Sequence, residues 1–252
     1  MKPWMKWMKW VGAAIVVVVL AVVAGPFVYI HFIKEDAPDR FALADPPETS
    51  TAAPAITGSA GSTAGTVAVD PDRAPVADRG VDGAWVVAPR SAIGYRVVEV
   101  LFGQDTEGVG RTDHVTGELT MSGTQVTAGS FTADMTTVVS DENRRDNQFN
   151  GRLLDTATFP TATFSLTSPI ELSSVPADGT AAAVTASGAL TLRGVTNPVT
   201  FDVDAQKNGD TIQIVGRTDI TFADYQIPHP NAPGITTQDH GLLEFDLRLV
   251  RA

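Results

Sequence analysis

At 252 residues and 43% hydrophobic content, the chain has the material for a sizeable core and for one or two domains. Its formal net charge of −11 comes without any local basic patch, which argues against a nucleic-acid surface. Cysteine is absent, so disulfides, a thiolate nucleophile and lipoprotein-type acylation are excluded.

The N-terminus is the cationic exception. Lys2, Lys6 and Lys9 alternate with Trp4, Trp7 and Trp10 ahead of an apolar run over residues 11–33. A run of that length can cross the hydrocarbon core, which needs roughly 20 residues. Lysines before it and Glu35 and Asp36 after it orient the N-terminus to the cytoplasm, and the tryptophans suit the headgroup belt. A cleaved signal peptide cut after Ala24 is the rival reading, but apolar residues continue through Ile30 and Pro26 sits beside that cut. Residues 1–33 are therefore expected to be a single-pass anchor, placing the rest of the chain on the extracytoplasmic side of the cell membrane.

Residues 34–80 are rich in Pro, Ala, Thr, Ser, Gly and Asp with no hydrophobic period, the composition of a flexible, disordered linker. As a coil it would span on the order of 40 Å. From Gly83 onward the period becomes two: Ile93, Tyr95, Val97; Phe131, Ala133, Met135; Ala162, Phe164, Leu166; Val199, Phe201, Val203; Leu243, Phe245, Leu247, Leu249. Turn signals separate the runs at Ser122-Gly123, Asp178-Gly179, Arg193-Gly194, Asn197-Pro198 and Asn208-Gly209. Seven to nine short strands over residues 81–252 predict an all-β sandwich or barrel. One helix is predicted over residues 142–154, where Phe149 and Leu153 share a face, Asp141 caps the start and Pro160 lies beyond the end.

Catalytic patterns are missing. His31 lies in the apolar run, and His114, His229 and His240 are scattered without metal-ligand spacing. There is no Gly-x-Ser-x-Gly elbow, no Ser-x-x-Lys pair and no phosphate or dinucleotide loop. Arg144 and Arg145 occupy ligand positions of the one loose calcium-loop match, which rules it out. No catalytic residue, metal or cofactor is expected. The Arg144-Arg145-Asp146 cluster has two readings: a structural one, with the arginines fastening a helix over a barrel end, and a cationic contact for a polar lipid head.

Two stretches carry a family resemblance: SDENRRDNQFNGRLLDTATFPTATF at residues 140–164 and GALTLRGVTNPV at residues 188–199. GRTDITFADYQI at residues 216–227 and the closing GLLEFDLRLV add to it. Together they resemble the YceI-like family from about Trp85 to the C-terminus. The resemblance implies a lipocalin-like antiparallel β-barrel of about eight strands with a short helix, around a cavity for an isoprenoid or quinone-like long-chain amphiphile. Phe131, Phe149, Leu153, Phe164, Phe201, Phe222 and Phe245 are then the cavity candidates, with Arg144 and Arg145 at the mouth. Glu99 stands where many members have histidine, which points to a different head group. Similar domains pair through barrel strands, implying a homodimer. The alternative is a non-catalytic, stress- or envelope-associated barrel whose core is filled by its own side chains.

Overall fold

The computed structural model describes residues 24, 25, 28, 37–44, 80–101, 103–231 and 234–252. All but three residues of the expected anchor, and most of the expected linker, lie outside these residues. Among the described residues, no helix is long and apolar enough to cross a membrane.

The chain forms β1 (Gly83–Val87), β2 (Ala92–Leu101), β3 (Gln104–Thr112), β4 (Val115–Ser122), β5 (Gln125–Asp134), β6 (Val139–Ser140), α1 (Asn143–Gln148), β7 (Thr161–Leu166), β8 (Ile170–Glu171), β9 (Ala181–Leu192), β10 (Val195–Asn208), β11 (Thr211–Thr221), β12 (Ile235–Thr237) and β13 (His240–Arg251). Eight of these close a ring in the order β1-β4-β5-β7-β9-β10-β11-β13, with β1 pairing back onto β13. All pairings are antiparallel, so the expected barrel of about eight strands with one short helix is what forms. β13 is shared lengthwise: its C-terminal half pairs with β1 (Trp85↔Arg251) and its N-terminal half with β2 (Phe245↔Ile93). β2 carries β3 and β12 outward from the ring.

Alternation sets which side chains point in. Phe131 lies opposite Phe164, and Phe245 opposite Ile93, so the sequence's period-two apolar residues share the inner face. The β9–β10 hairpin turns on Arg193 and Gly194, both with positive φ (50° and 75°), the type I′ geometry whose twist matches that of the strands. Asn197-Pro198, expected as a break, instead lies within β10, paired to Leu190 and Ala189 of β9. It is tolerated there because β11 joins only from Val203 onward, leaving this stretch of β10 paired on one side.

The predicted helix forms over residues 143–153, but only its first part is α-helical. α1 ends at Gln148 and widens into a π-helical turn over Phe149–Leu153, while Glu142, in extended backbone (φ −136°), takes the N-cap position without a side-chain cap. Asp141 is not the cap because its carboxylate is engaged one turn on, by the guanidinium of Arg145.

The interior packs as two clusters. One gathers Met135, Val138, Phe149, Leu190, Phe222 and Leu247 under α1; the other gathers Val81, Trp85, Leu119, Met121, Ile212 and Leu249 at the opposite end. Trp85 and Leu249 are fully buried, and the Trp85 indole N–H donates to the Val81 carbonyl (2.8 Å), so this bulky ring leaves no orphan donor. Residues 37–44, within the stretch read as linker, lie against the outside of the barrel: the Phe41 ring sits beneath the Arg111 guanidinium, 4.0 Å from ring centre to carbon.

Candidate functional site

Two cavities run through the barrel. The larger, about 190 Å³, occupies the end away from α1 and is lined almost wholly by apolar side chains, including Phe131, Phe164, Phe201 and Phe245. The second, about 170 Å³, lies under α1 and takes in Phe149, Leu153, Phe222, Arg144 and Arg145. Ile93, Ala162 and Leu243 line both, marking the place where the two meet. Every residue singled out from the sequence thus lines one cavity or the other, but the set divides between them rather than forming one pocket. Taken together the cavities reach the lower end of the roughly 300–1,000 Å³ typical of small-molecule sites.

Ring packing shapes the larger cavity. Phe201 meets Phe164 at 5.5 Å between centroids and Phe245 at 5.7 Å, the latter edge to face. The Phe164 ring lies where β9 carries Gly188: a Cβ there would sit 2.3 Å from the ring. The missing side chain on β9 is therefore what lets Phe164 lie flat and leaves space beside it.

Gln206 and Lys207 line the far end of the larger cavity, but polar groups are concentrated at the α1 end. Arg145 reaches from α1 to the Glu99 carboxylate on β2 at 3.3 Å and also binds Asp141. Burial would pull its guanidinium down, but Glu99 and then Asp141 together hold it above the ordinary arginine value. Gly108 of β3 makes room for the pair, since a Cβ would stand 2.7 Å from both Arg145 Nε and Glu99 Oε1. Beside them the Tyr95 ring stacks on Phe149 (5.0 Å, 11° between planes). Burial pushes the Tyr95 hydroxyl well above its ordinary pKa, against the pull of Arg145, so it stays protonated and able to donate.

Arg145 and Asp146 do not pair with each other. Asp146 instead accepts from the Ser140 backbone N–H (2.9 Å) and hydroxyl (2.6 Å), tying α1 to β6. Of the two readings of the cluster, this geometry gives Arg145 and Asp146 the fastening role, while Arg144 remains exposed at the rim. Tyr95 was read from sequence only as a core alternator and Glu99 only as a departure. The signal for both was the period-two register of β2, which puts positions 93, 95, 97 and 99 on the inner face. The described histidines do not come together: His229 contacts Thr237 (3.3 Å), His240 its neighbour Asp239 and His114 its neighbour Asp113. Among the described residues, no group of His, Asp or Glu is arranged to hold a metal ion.

The family model for the YceI-like domain matches residues 85–249, the span of the ring and both cavities. The chain belongs to the YceI-like family. Similar solved structures include a polyisoprenoid binding domain from Saccharophagus degradans implicated in plant cell wall breakdown, at 18% identity and TM-score 0.55, covering 67% of this chain and 98% of that one. BcnA of Burkholderia cenocepacia is 19% identical with TM-score 0.50, over 63% of this chain and 95% of BcnA. The Campylobacter jejuni YceI protein is 16% identical with TM-score 0.47, over 57% and 84%. No curated protein sequence matches. At these identities the likeness to the first two establishes the fold.

Proposed function

We propose that this YceI-like barrel is a non-catalytic, membrane-tethered, extracytoplasmic carrier that holds one long-chain isoprenoid or similar amphiphile. The observation that carries the reading is the pair of adjoining cavities, predominantly apolar through the length of the barrel with their polar groups concentrated at the α1 end. A prenyl tail fits the apolar interior, and its polar end falls beside Tyr95, Glu99 and Arg145. Because Glu99 and Asp141 already engage Arg145, that end suits a neutral hydrogen-bonding head, such as a quinone or alcohol, better than a phosphate. The similarity to a polyisoprenoid binding domain supports the same ligand class. A barrel filled by its own side chains, the alternative, is less consistent with two cavities of this size.

Energetics define what such a carrier does. Burying a CH₂ from water is worth about 0.8 kcal/mol, but a tail already dissolved in a bilayer gains almost none of this on transfer. Exchange with the membrane is then near neutral, and selectivity rests on the polar end. Tethering through residues 11–33 raises the local concentration of lipid without adding contacts.

The test is native mass spectrometry with lipid extraction on the full chain purified from a membrane-rich host. The expected result is a stoichiometric isoprenoid, lost when Phe164→Trp fills the larger cavity. An apo mass that stays unchanged on adding isoprenoid quinone would overturn the reading in favour of a filled module.

A further inference from the structure

The outer wall of the barrel over β2, β3, β11 and β13 carries a buried polar cluster that the lipid reading does not use. Arg96 and Glu244 are 4% and 2% exposed although both belong to outward-facing positions, and Gln213 is 2% exposed. Arg96 pairs with Glu107 at 2.6 Å and Glu244 at 3.5 Å, and Glu244 also holds Arg111 at 2.7 Å. What lies over them is the chain's own residues 37–44. Arg96 donates to the Pro38 carbonyl (2.7 Å), and Arg111 donates to the Asp39 carbonyl and covers the Phe41 ring. Arg40 approaches Glu107 at 3.6 Å. The Gln213 side-chain amide brackets the end of the segment, donating to the Ala42 carbonyl (3.2 Å) and accepting from the Ala44 N–H (2.9 Å). A side-chain amide that satisfies one carbonyl and one N–H of a crossing segment is a built receptor for that segment, not a chance contact.

The segment has a direction. It enters over Arg96, on the half of β2 that leads to Glu99 and the α1 end, and leaves over Gln213, beside Ile212 and Ile214 of the larger cavity. Only four residues lie between Ile33 and Pro38, five steps along the chain with a reach of at most about 17 Å when fully extended. From Arg96 to Leu101 at the end of β2 is likewise about 16 Å along the strand. The two lengths match.

We propose that residues 37–44 are a strap that holds the barrel against the bilayer with its α1-end mouth facing the lipid surface. The inference rests on the membrane-anchor reading of residues 11–33. It replaces a barrel roaming on a long tether with one whose polar mouth is kept at the headgroups, while the turn between β10 and β11 points away.

The experiment uses the full chain in liposomes, exploiting the absence of native cysteine. Single cysteines at Asn147→Cys on α1 and Asp210→Cys in the β10–β11 turn, both exposed positions, carry a fluorophore, and headgroup spin-labelled lipid is the quencher. The strap predicts quenching several-fold stronger at position 147 than at 210. Phe41→Ala with Ala44→Pro removes the ring and the donated N–H without touching the barrel, and should erase that difference. Equal quenching at both positions in protein that resists alkaline carbonate extraction overturns the orientation. Release by carbonate, with quenching at neither position, means that the anchor reading has failed and takes the orientation with it. Hydrogen exchange in detergent separates the two failures. Slow exchange at the Ala44 amide, accelerated by Gln213→Ala, is expected whatever the anchor does, and fast exchange there overturns the strap itself.

Discussion

Arg145 of α1 and Glu99 of β2 meet at 3.3 Å across the gap that Gly108 leaves on β3, so the polar mouth and the attachment of the helix are one construction. Any change to this polar end is therefore a change to the attachment of α1 to the barrel.

Glu99→Gln should cost about 1–3 kcal/mol in urea unfolding, because a partly buried guanidinium loses a charged partner while Asp141 still compensates some of it. The same variant should shift lipid preference towards an anionic head, read as the ratio of polyprenyl phosphate to prenyl alcohol bound. A variant with unaltered stability and unaltered preference would remove the pair from both roles.

Ala162 lines both cavities, and Ala162→Phe should wall them off from each other. Long prenyl ligands should lose at least about tenfold in affinity, equivalent to roughly 1.4 kcal/mol, while single-unit prenyl compounds bind as before. Titration with a series of prenyl chain lengths checks this, and uniform weakening across the series would mean that the ligand does not cross the junction.

Gly188→Ala would place a Cβ 2.3 Å from the Phe164 ring and 2.6 Å from the Ser165 carbonyl oxygen. Phe164 must then swing into the larger cavity, and overpacking of this kind costs about 1–3 kcal/mol. Thermal unfolding should show that loss together with reduced ligand capacity. A second change, Phe164→Leu, should restore part of both.

The Tyr95 hydroxyl has its folded pKa raised, chiefly by burial. A raised value means that the unfolded chain loses this proton first. The contribution to stability is fully present below the unfolded value of about 10 and is lost as pH rises above it. Tyr95→Phe keeps the stack on Phe149 but has no proton to lose. Its melting temperature should fall less steeply in that alkaline range than that of the parent chain, and parallel curves would argue that the hydroxyl is solvated.

Much of the barrel was legible because period-two alternation is a local property: Ile93-x-Tyr95-x-Val97 and Leu243-x-Phe245-x-Leu247 name their own inner face. The glycine turns were legible for the same reason, through backbone geometry that few other residues adopt. Asn197-Pro198 misled because a proline signals a break only where both edges of a strand need donors, and which edge is free depends on β11, a distant partner. Asp141 misled because its competitor for the cap role, Arg145, is four residues on and draws the carboxylate away. Cavity-lining residues could be named, but not their division between two cavities, since that depends on which strands face each other across the ring. Residues 37–44 looked like linker because their docking uses backbone carbonyls, which carry no sequence signature, and a single Phe41.

The ring closes between the first strand of the barrel and the last, with Trp85 opposite Arg251. A nascent chain therefore has every ring strand from β1 to β11 available yet keeps two open sheet edges until β13 arrives. Contacts of such high sequence separation make folding slow and leave those edges exposed meanwhile. Removing the β13 residues that pair with β1 would strike at the completion of the fold itself, so the barrel closes only once β13 has been made.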